Sequence, residues 1–71
     1  MFQEPKQKPT LFQLSSMHWE LAKDFDWNLD QKTKSRAALD KISLGQYKRI
    51  TALYYNDKAE YFKFLKELNI I

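Results

Sequence analysis

The 71-residue sequence contains no cysteine, one histidine and a single glycine. Without cysteine, neither disulfides nor thiolate chemistry is available, and a reducing, cytoplasmic location is expected. One glycine is too few for a glycine-rich phosphate-binding loop. His18 has no partner residue for a metal site, and its place beside an apolar stripe favours a structural role. We therefore predict that the protein is not an enzyme, with no cofactor and no small-molecule substrate.

Long apolar runs and arginine are also scarce. No stretch approaches the roughly 18 apolar residues of a membrane-spanning helix, so we expect no membrane partner. Only two of the twelve basic residues are arginine, and the net charge of +3 rests on lysine. Because arginine is the side chain best suited to reading phosphate and guanine, this composition gives weak support to a nucleic-acid partner.

The apolar and aromatic content is high enough for a folded core. Apolar residues make up 44% of the chain and aromatic residues 15%, well above the level of disordered chains. A capping residue is followed three positions later by glutamine or glutamate at three places, a pattern that starts helices. The three pairs are Thr10 with Gln13, Ser43 with Gln46, and Asp57 with Glu60.

Apolar repeats at spacings of three and four follow these caps, and none alternates with the period of a strand. The sequence therefore predicts an all-α fold, a small bundle of three to four short helices. Residues 1–9 are predicted to be a flexible N-terminal arm and residues 10–71 a single helical domain. The predicted helices cover residues 11–25, 31–42, 44–56 and 58–68, with Asp30 as the cap of the second.

Several large aromatic residues fall beside the predicted apolar stripes, and exposed aromatics are typical of protein interfaces. The residues in question are Trp19, Trp27, Tyr55 and Phe64. They predict a small regulatory or adaptor module that binds another protein or a second copy of itself. The other interpretation is that a four-helix core uses wide apolar faces and buries these residues.

An alternative function is DNA binding, because helix 31–42, the turn at 43–45 and helix 44–56 have the outline of a helix-turn-helix unit. Residues 31–49 contain six basic side chains and one acid, whereas residues 18–30 contain four acids and one lysine. The turn does not fit well, since Lys41 stands where such units place a small residue. A solvated lysine face would give the same pattern. The candidate contact residues are Lys32, Lys34, Arg36, Gln46, Lys48 and Arg49.

Overall fold

The computed structural model describes residues 7–71, and residues 1–6 of the predicted arm lie outside this range. The described chain is all-α, which confirms the predicted fold class. No helix in it is long and apolar enough to cross a membrane. Its helices are α1 (Leu11–Phe25), α2 (Leu29–Leu39), α3 (Leu44–Asn56) and α4 (Lys58–Glu67).

Two helices begin with the reciprocal cap that the sequence predicts. At α1 the Thr10 hydroxyl accepts a hydrogen bond from the Gln13 backbone N–H at 3.1 Å, and the Gln13 side chain accepts one from the Thr10 N–H at 2.9 Å. At α3 the same two bonds join Ser43 and Gln46, at 3.2 and 2.8 Å. Because each cap satisfies backbone donors that the helix leaves unpaired, both helices start where predicted.

The cap of α4 is only half formed. The Asp57 carboxylate accepts from the Glu60 backbone N–H at 3.2 Å, and the described contacts include no return bond from the Glu60 side chain. Asp57 also ends α3, since its own N–H donates to the Leu53 carbonyl at 2.8 Å. One extended residue therefore separates two helices, which forces a sharp change of direction between them.

The second helix differs from its prediction at both ends. Asn28, not Asp30, is the N-cap, and its side chain accepts from the backbone N–H three residues later at 2.8 Å. Asp30 instead lies in the first turn, where a carboxylate is favoured by the helix dipole, and it pairs with Lys34 at 3.3 Å. The helix ends at Leu39, so the buried Ile42 belongs to the connection to α3.

The helices pack as two pairs, α1 on α2 and α3 on α4, with the core between the pairs. Each helix supplies one or two buried apolar side chains, and the remaining ones come from the segments that follow α2 and α4. The buried apolar residues are Leu14, Leu21, Leu39, Ile42, Ile50, Tyr61, Leu65 and Ile70.

Residues 7–9, which the sequence analysis assigned to the flexible arm, contact the connection between α2 and α3. The Leu44 N–H donates to the Gln7 carbonyl at 2.9 Å, and the Lys8 ammonium donates to the Asp40 carbonyl at 2.9 Å. Pro9 is buried. These bonds satisfy backbone groups at the end of α2 and the start of α3, so the segment is part of the folded unit.

The segment after α4 is held against α2. Asn69 adopts the left-handed conformation, φ 63°, and the Ile70 N–H then donates back to the Leu65 carbonyl at 2.9 Å. This is a Schellman turn, and both Ile70 and Leu65 are fully buried. The Ile70 carbonyl accepts hydrogen bonds from the buried Ser35 hydroxyl and from the Gln31 side-chain amide. The turn and the two bonds together attach the end of the described chain to α2.

Candidate functional site

The outer face of α1 is apolar although it points away from the core. Phe12 is 82% exposed and Trp19 is 63% exposed, and their spacing of seven places them on the same side of the helix. The Lys23 ammonium lies 5.1 Å from the centre of the Trp19 ring, so a cation covers part of the indole. Leu11, also exposed, begins the same helix. We use the term outer face of α1 for the surface formed by Phe12, Trp19, Lys23 and Leu11 together with Ser15 and Ser16, which lie between the two rings.

Two of the four predicted interface residues are exposed, and two are not. Trp19 and Tyr55 lie open to solvent as expected. The prediction of exposure was wrong for Trp27 and Phe64, which are half-buried and packed against the core. The exposed aromatic side chains therefore lie on α1, at the end of α3 and at Phe62 of α4.

Trp27 is covered because α1 ends in a turn that reverses the chain. Asp26 has a φ of 53°, which lets the Trp27 N–H donate to the Ala22 carbonyl at 3.0 Å. The indole then stacks on Phe25, with ring centres 5.9 Å apart, and lies 6.0 Å from the His18 ring. Trp27 is therefore partly buried because of the left-handed turn at Asp26 that precedes it.

Phe64, predicted to be exposed, is half-buried, whereas its neighbour Phe62 is 41% exposed. Tyr61 and Leu65 define the buried side of the helix, and Phe62 and Phe64 lie on its two flanks. Only the flank of Phe64 packs against the core. The Arg49 guanidinium lies 5.1 Å from the centre of the Phe64 ring and covers its outer side.

A groove of about 290 Å³ runs between α1 and α3. All four tyrosines of the sequence line it, although they come from two different helices and from spacings that do not form one stripe. Apolar side chains form its floor, and two acids stand on its α1 wall. The lining residues are Ser16, Met17, Glu20, Leu21, Asp24, Tyr47, Ile50, Thr51, Tyr54, Tyr55 and Tyr61.

The electrostatics of the groove are acidic. Glu20 and Asp24 are one turn apart on α1, and neither has a cationic partner within 4 Å among residues 7–71. Tyr61 lies at the base of this groove and is 4% exposed. Burial, the Asp24 charge and the neighbouring Tyr54 raise the pKa of Tyr61 to about 12. The hydroxyl therefore stays protonated at neutral pH.

A cation already occupies the far side of the tyrosine cluster. The Lys58 ammonium lies 3.9 Å from the centre of the Tyr54 ring and 5.4 Å from that of Tyr61. Tyr54 and Tyr61 meet edge to face with centres 5.3 Å apart, and Tyr54 meets Tyr55 in the same way at 5.0 Å. The faces of these rings are thus arranged to attract positive charge.

The predicted nucleic-acid contacts are brought together only in part. Lys34 pairs with Asp30, and Arg36 pairs with Asp40, each at 3.3 Å. The side-chain oxygen of Gln46 is used in the cap of α3. Lys32, Lys48 and Arg49 are exposed, but Arg49 lies over Phe64.

The helix pairing also differs from that of a helix-turn-helix unit, in which the two helices on either side of the turn pack together. Here α2 packs on α1, and α3 packs on α4. If α3 entered a groove of DNA, the helix packed behind it would therefore be α4 and not α2. The described chain thus has the two helices and the short turn of that outline, but α2 and α3 do not pack on each other.

His18 has a structural role between the first two helices. Its Nε2 donates a hydrogen bond to the Lys32 carbonyl at 2.9 Å, which fixes the proton on that nitrogen. Within residues 7–71, no group of three or more histidine, aspartate or glutamate side chains is placed to hold a metal ion. The histidine thus joins α1 to α2 near the indole of Trp27.

Comparison with protein-family models, curated proteins and solved structures gave no match to this chain. The function therefore has to be inferred from the surfaces of the chain itself. Two surfaces stand out, the outer face of α1 and the tyrosine-lined groove. The sequence predicted the exposure of Trp19 and Tyr55, but it did not single out Phe12 or the groove. The one local signal of the groove is the spacing of Glu20 and Asp24, which places both acids on one side of α1.

Proposed function

We propose that this protein is a non-enzymatic regulatory or adaptor module that binds another protein, or a second copy of itself, through the outer face of α1. The observation that carries the proposal is the exposure of Phe12 and Trp19 on one side of a helix whose opposite side forms the core. A helix that is apolar on two opposite sides needs two partners, and the chain itself supplies only one. A cytoplasmic location belongs to the proposal as well.

The details of this face suit an interface. Large aromatic side chains bury about 150–250 Å² each, so two of them supply much of the apolar core of a contact. Ser15 and Ser16 are small and exposed, and they leave room between the Phe12 and Trp19 rings for a side chain of the partner. Lys23 gives the patch a charged edge, as the polar rim of an interface does.

Binding here would act by occlusion or by bridging. A partner seated on α1 would cover the aromatic face and leave the basic side chains of α2 and α3 open. The positive charge of those side chains would then help to orient the approaching partner at long range. This role does not require α2 and α3 to pack as a helix-turn-helix unit.

Sedimentation equilibrium of the purified chain tests the proposal. We expect self-association, or capture of a protein partner, that is lost in the Phe12→Ser, Trp19→Ser double variant. The matched control is Leu29→Ser, which removes an equally exposed apolar side chain at the start of α2. A loss of binding in both variants would indicate a general effect of surface hydrophobicity and would contradict the proposal.

A short mixed-sequence DNA duplex, added at low and at moderate salt, separates the two classes of function. Each phosphate contact releases counterions, so DNA binding weakens steeply as salt rises, whereas an aromatic interface depends little on salt. Salt-sensitive duplex binding that is abolished by the Lys48→Glu, Arg49→Glu double change and unaffected by the α1 variant would replace our proposal with the DNA-binding alternative.

A further inference from the structure

We propose that the occupant of the outer face of α1 is the same face of a second copy of the chain. The two α1 helices would run antiparallel, related by a two-fold axis at the level midway between Ser15 and Ser16. This inference rests on the proposed function and names its partner. It is carried by the juxtaposition of two exposed rings, Phe12 and Trp19, which are placed symmetrically about a pair of exposed serines.

The pattern of the outer face is the same in both chain directions. Phe12 lies three residues before Ser15, and Trp19 lies three residues after Ser16. With about 3.6 residues and about 5.4 Å per turn, the two rings leave the helix about 20° apart in direction and about 10 Å apart along its axis. The serines lie on either side of the line between them. Reversing the helix therefore exchanges the two ring positions and leaves the outline of the face unchanged.

A second copy with its α1 reversed fits this outline. Phe12 of one copy then lies level with the partner's Trp19, and this contact occurs at both ends of the interface. The small side chains of Ser15 and Ser16 lie at the crossing point, where they allow the two helix axes to approach to about 8–10 Å. A two-fold contact of this kind uses the same residues twice and is complete with two copies.

Ring size and charge favour the antiparallel direction over the parallel one. A parallel pair would place two indoles at one level and two phenyl rings at the other, so the helices could not stay equally spaced along the contact. It would also bring together the two Lys23 ammonium groups, each of which lies over a Trp19 ring. In the antiparallel pair the two Lys23 positions are about 22 Å apart, and the helix dipoles oppose each other.

The exposed area of the two rings is enough for a weak dimer. Phe12 is 82% exposed and Trp19 is 63% exposed. A large aromatic side chain buries about 150–250 Å², so four rings would contribute roughly 600–800 Å² of the area lost on pairing. With the side chains around them the total comes to about 1,000 Å², the lower limit for a specific interface. We therefore expect a dimer with a micromolar or weaker dissociation constant, and no larger species.

Disulfide trapping tests the arrangement, because the sequence contains no cysteine and an introduced thiol has no competitor. In the antiparallel pair the β-carbons of the two Ser16 residues lie about 4–6 Å apart at this helix spacing, close to the roughly 3.5–4.5 Å of a disulfide. Ser16→Cys should therefore form a covalent dimer under mild oxidation. The chain is used at a concentration at which sedimentation equilibrium detects the dimer, and non-reducing electrophoresis follows the product.

Two control variants separate this arrangement from random collision and from the parallel pair. Glu67→Cys lies on α4, away from the outer face of α1. Ser16→Cys should be linked at least about tenfold faster, because the thiols of a bound pair have a millimolar local concentration. Lys23→Cys lies on the outer face, but its two thiols would be about 22 Å apart in the antiparallel pair and should be linked no faster than those of Glu67→Cys.

Two results of the trapping experiment would overturn the inference. Rapid linking of Lys23→Cys with slow linking of Ser16→Cys would show that the pair is parallel. Equal rates for Ser16→Cys and Glu67→Cys would show that the serines of two copies do not meet.

Failure of this inference can be told apart from failure of the proposed function. If the chain stays monomeric at millimolar concentration while a different protein binds it and needs Phe12 and Trp19, the inference is wrong and the proposed function stands. If the chain self-associates equally with and without the Phe12→Ser, Trp19→Ser change, the outer face of α1 is not the interface and both are wrong. Self-association that is lost in that double variant, with rapid linking of Ser16→Cys, supports both.

Discussion

The Ser35 hydroxyl on α2 donates a hydrogen bond to the carbonyl of Ile70, 35 positions later in the chain. Ser35 is the one fully buried polar side chain among the described residues, and it also accepts from the Gln31 amide at 2.8 Å. A polar group at the centre of so small a core destabilises the fold unless its bonds are made. This pair therefore fixes how the segment after α4 lies on α2.

Replacing Ser35 with alanine should lower the free energy of unfolding by about 1–2 kcal/mol. The change leaves the Ile70 carbonyl with only the longer, 3.3 Å bond from Gln31. Chemical denaturation followed by circular dichroism measures the difference. Ser15→Ala, on the exposed side of α1, is the control and should be neutral or slightly stabilising. Equal stabilities of the two variants would contradict the role of the buried bond.

Glycine in place of Asp26 should stabilise the fold by about 0.5–1 kcal/mol, because glycine takes the left-handed conformation without a steric cost. Asn69→Gly should have the same sign and a smaller effect, since asparagine already tolerates this conformation. Thermal unfolding of both variants measures the gain. Glu20→Gly, within α1, should instead destabilise by about 0.5–1 kcal/mol, which controls for glycine as such.

The two tryptophans should respond in opposite ways to truncation. Trp27→Ala removes a ring packed on Phe25 and His18, so it should cost about 2–3 kcal/mol of stability, below the value for a fully buried tryptophan. Trp19→Ala should change stability by less than about 0.5 kcal/mol and affect partner binding. Urea denaturation measures both effects. A large loss of stability in Trp19→Ala would place its ring in the core and remove it from the interface.

Tyr61 should make stability fall in alkaline solution. Its pKa is raised from 10.0 to about 12 in the folded chain, by burial first and then by the Asp24 charge. Between these two values the unfolded chain releases the proton while the folded chain keeps it, so the unfolded state is favoured as pH rises. The loss should reach about 2–3 kcal/mol by pH 12 and be absent below pH 10.

The control for the alkaline loss is Tyr61→Phe, which keeps the ring and has no proton to release. Stability of both chains is measured by denaturation across the same pH range, and the difference between the curves isolates Tyr61. Parallel curves would show that the hydroxyl ionises as freely in the folded chain as in the unfolded one.

The limits of α1, α3 and α4 were largely predictable because helix starts are set by local side-chain to backbone bonds. The caps at Thr10, Ser43 and Asp57 are all used, and each lies one residue before its helix. The start of α2 was not predictable in the same way, since Asn28 and Asp30 are both good caps two residues apart. Contacts with α1 and the dipole decide between them, and these are not visible in the local sequence.

The exposure of Trp19 followed from its position opposite the core stripe of α1, but the groove could not be predicted. Glu20 and Tyr61 lie on helices that are far apart in sequence, and only the packing of the two helix pairs places them together. The burial of Trp27 likewise depends on the left-handed turn at Asp26, which few sequences mark with aspartate. The spacing of apolar residues predicts which side of a single helix is buried, but it does not predict a surface that two helices form together.

The two ends of the described chain are each bonded to the helix pair to which they do not belong. The segment before α1 pairs with the start of α3 through Gln7, and the segment after α4 pairs with α2 through Ile70. Neither half can open without breaking bonds of the other, so all four helices should exchange their amide hydrogens in a single cooperative event. A chain cut at the connection between α2 and α3 should yield two fragments that are unfolded apart and fold only when mixed.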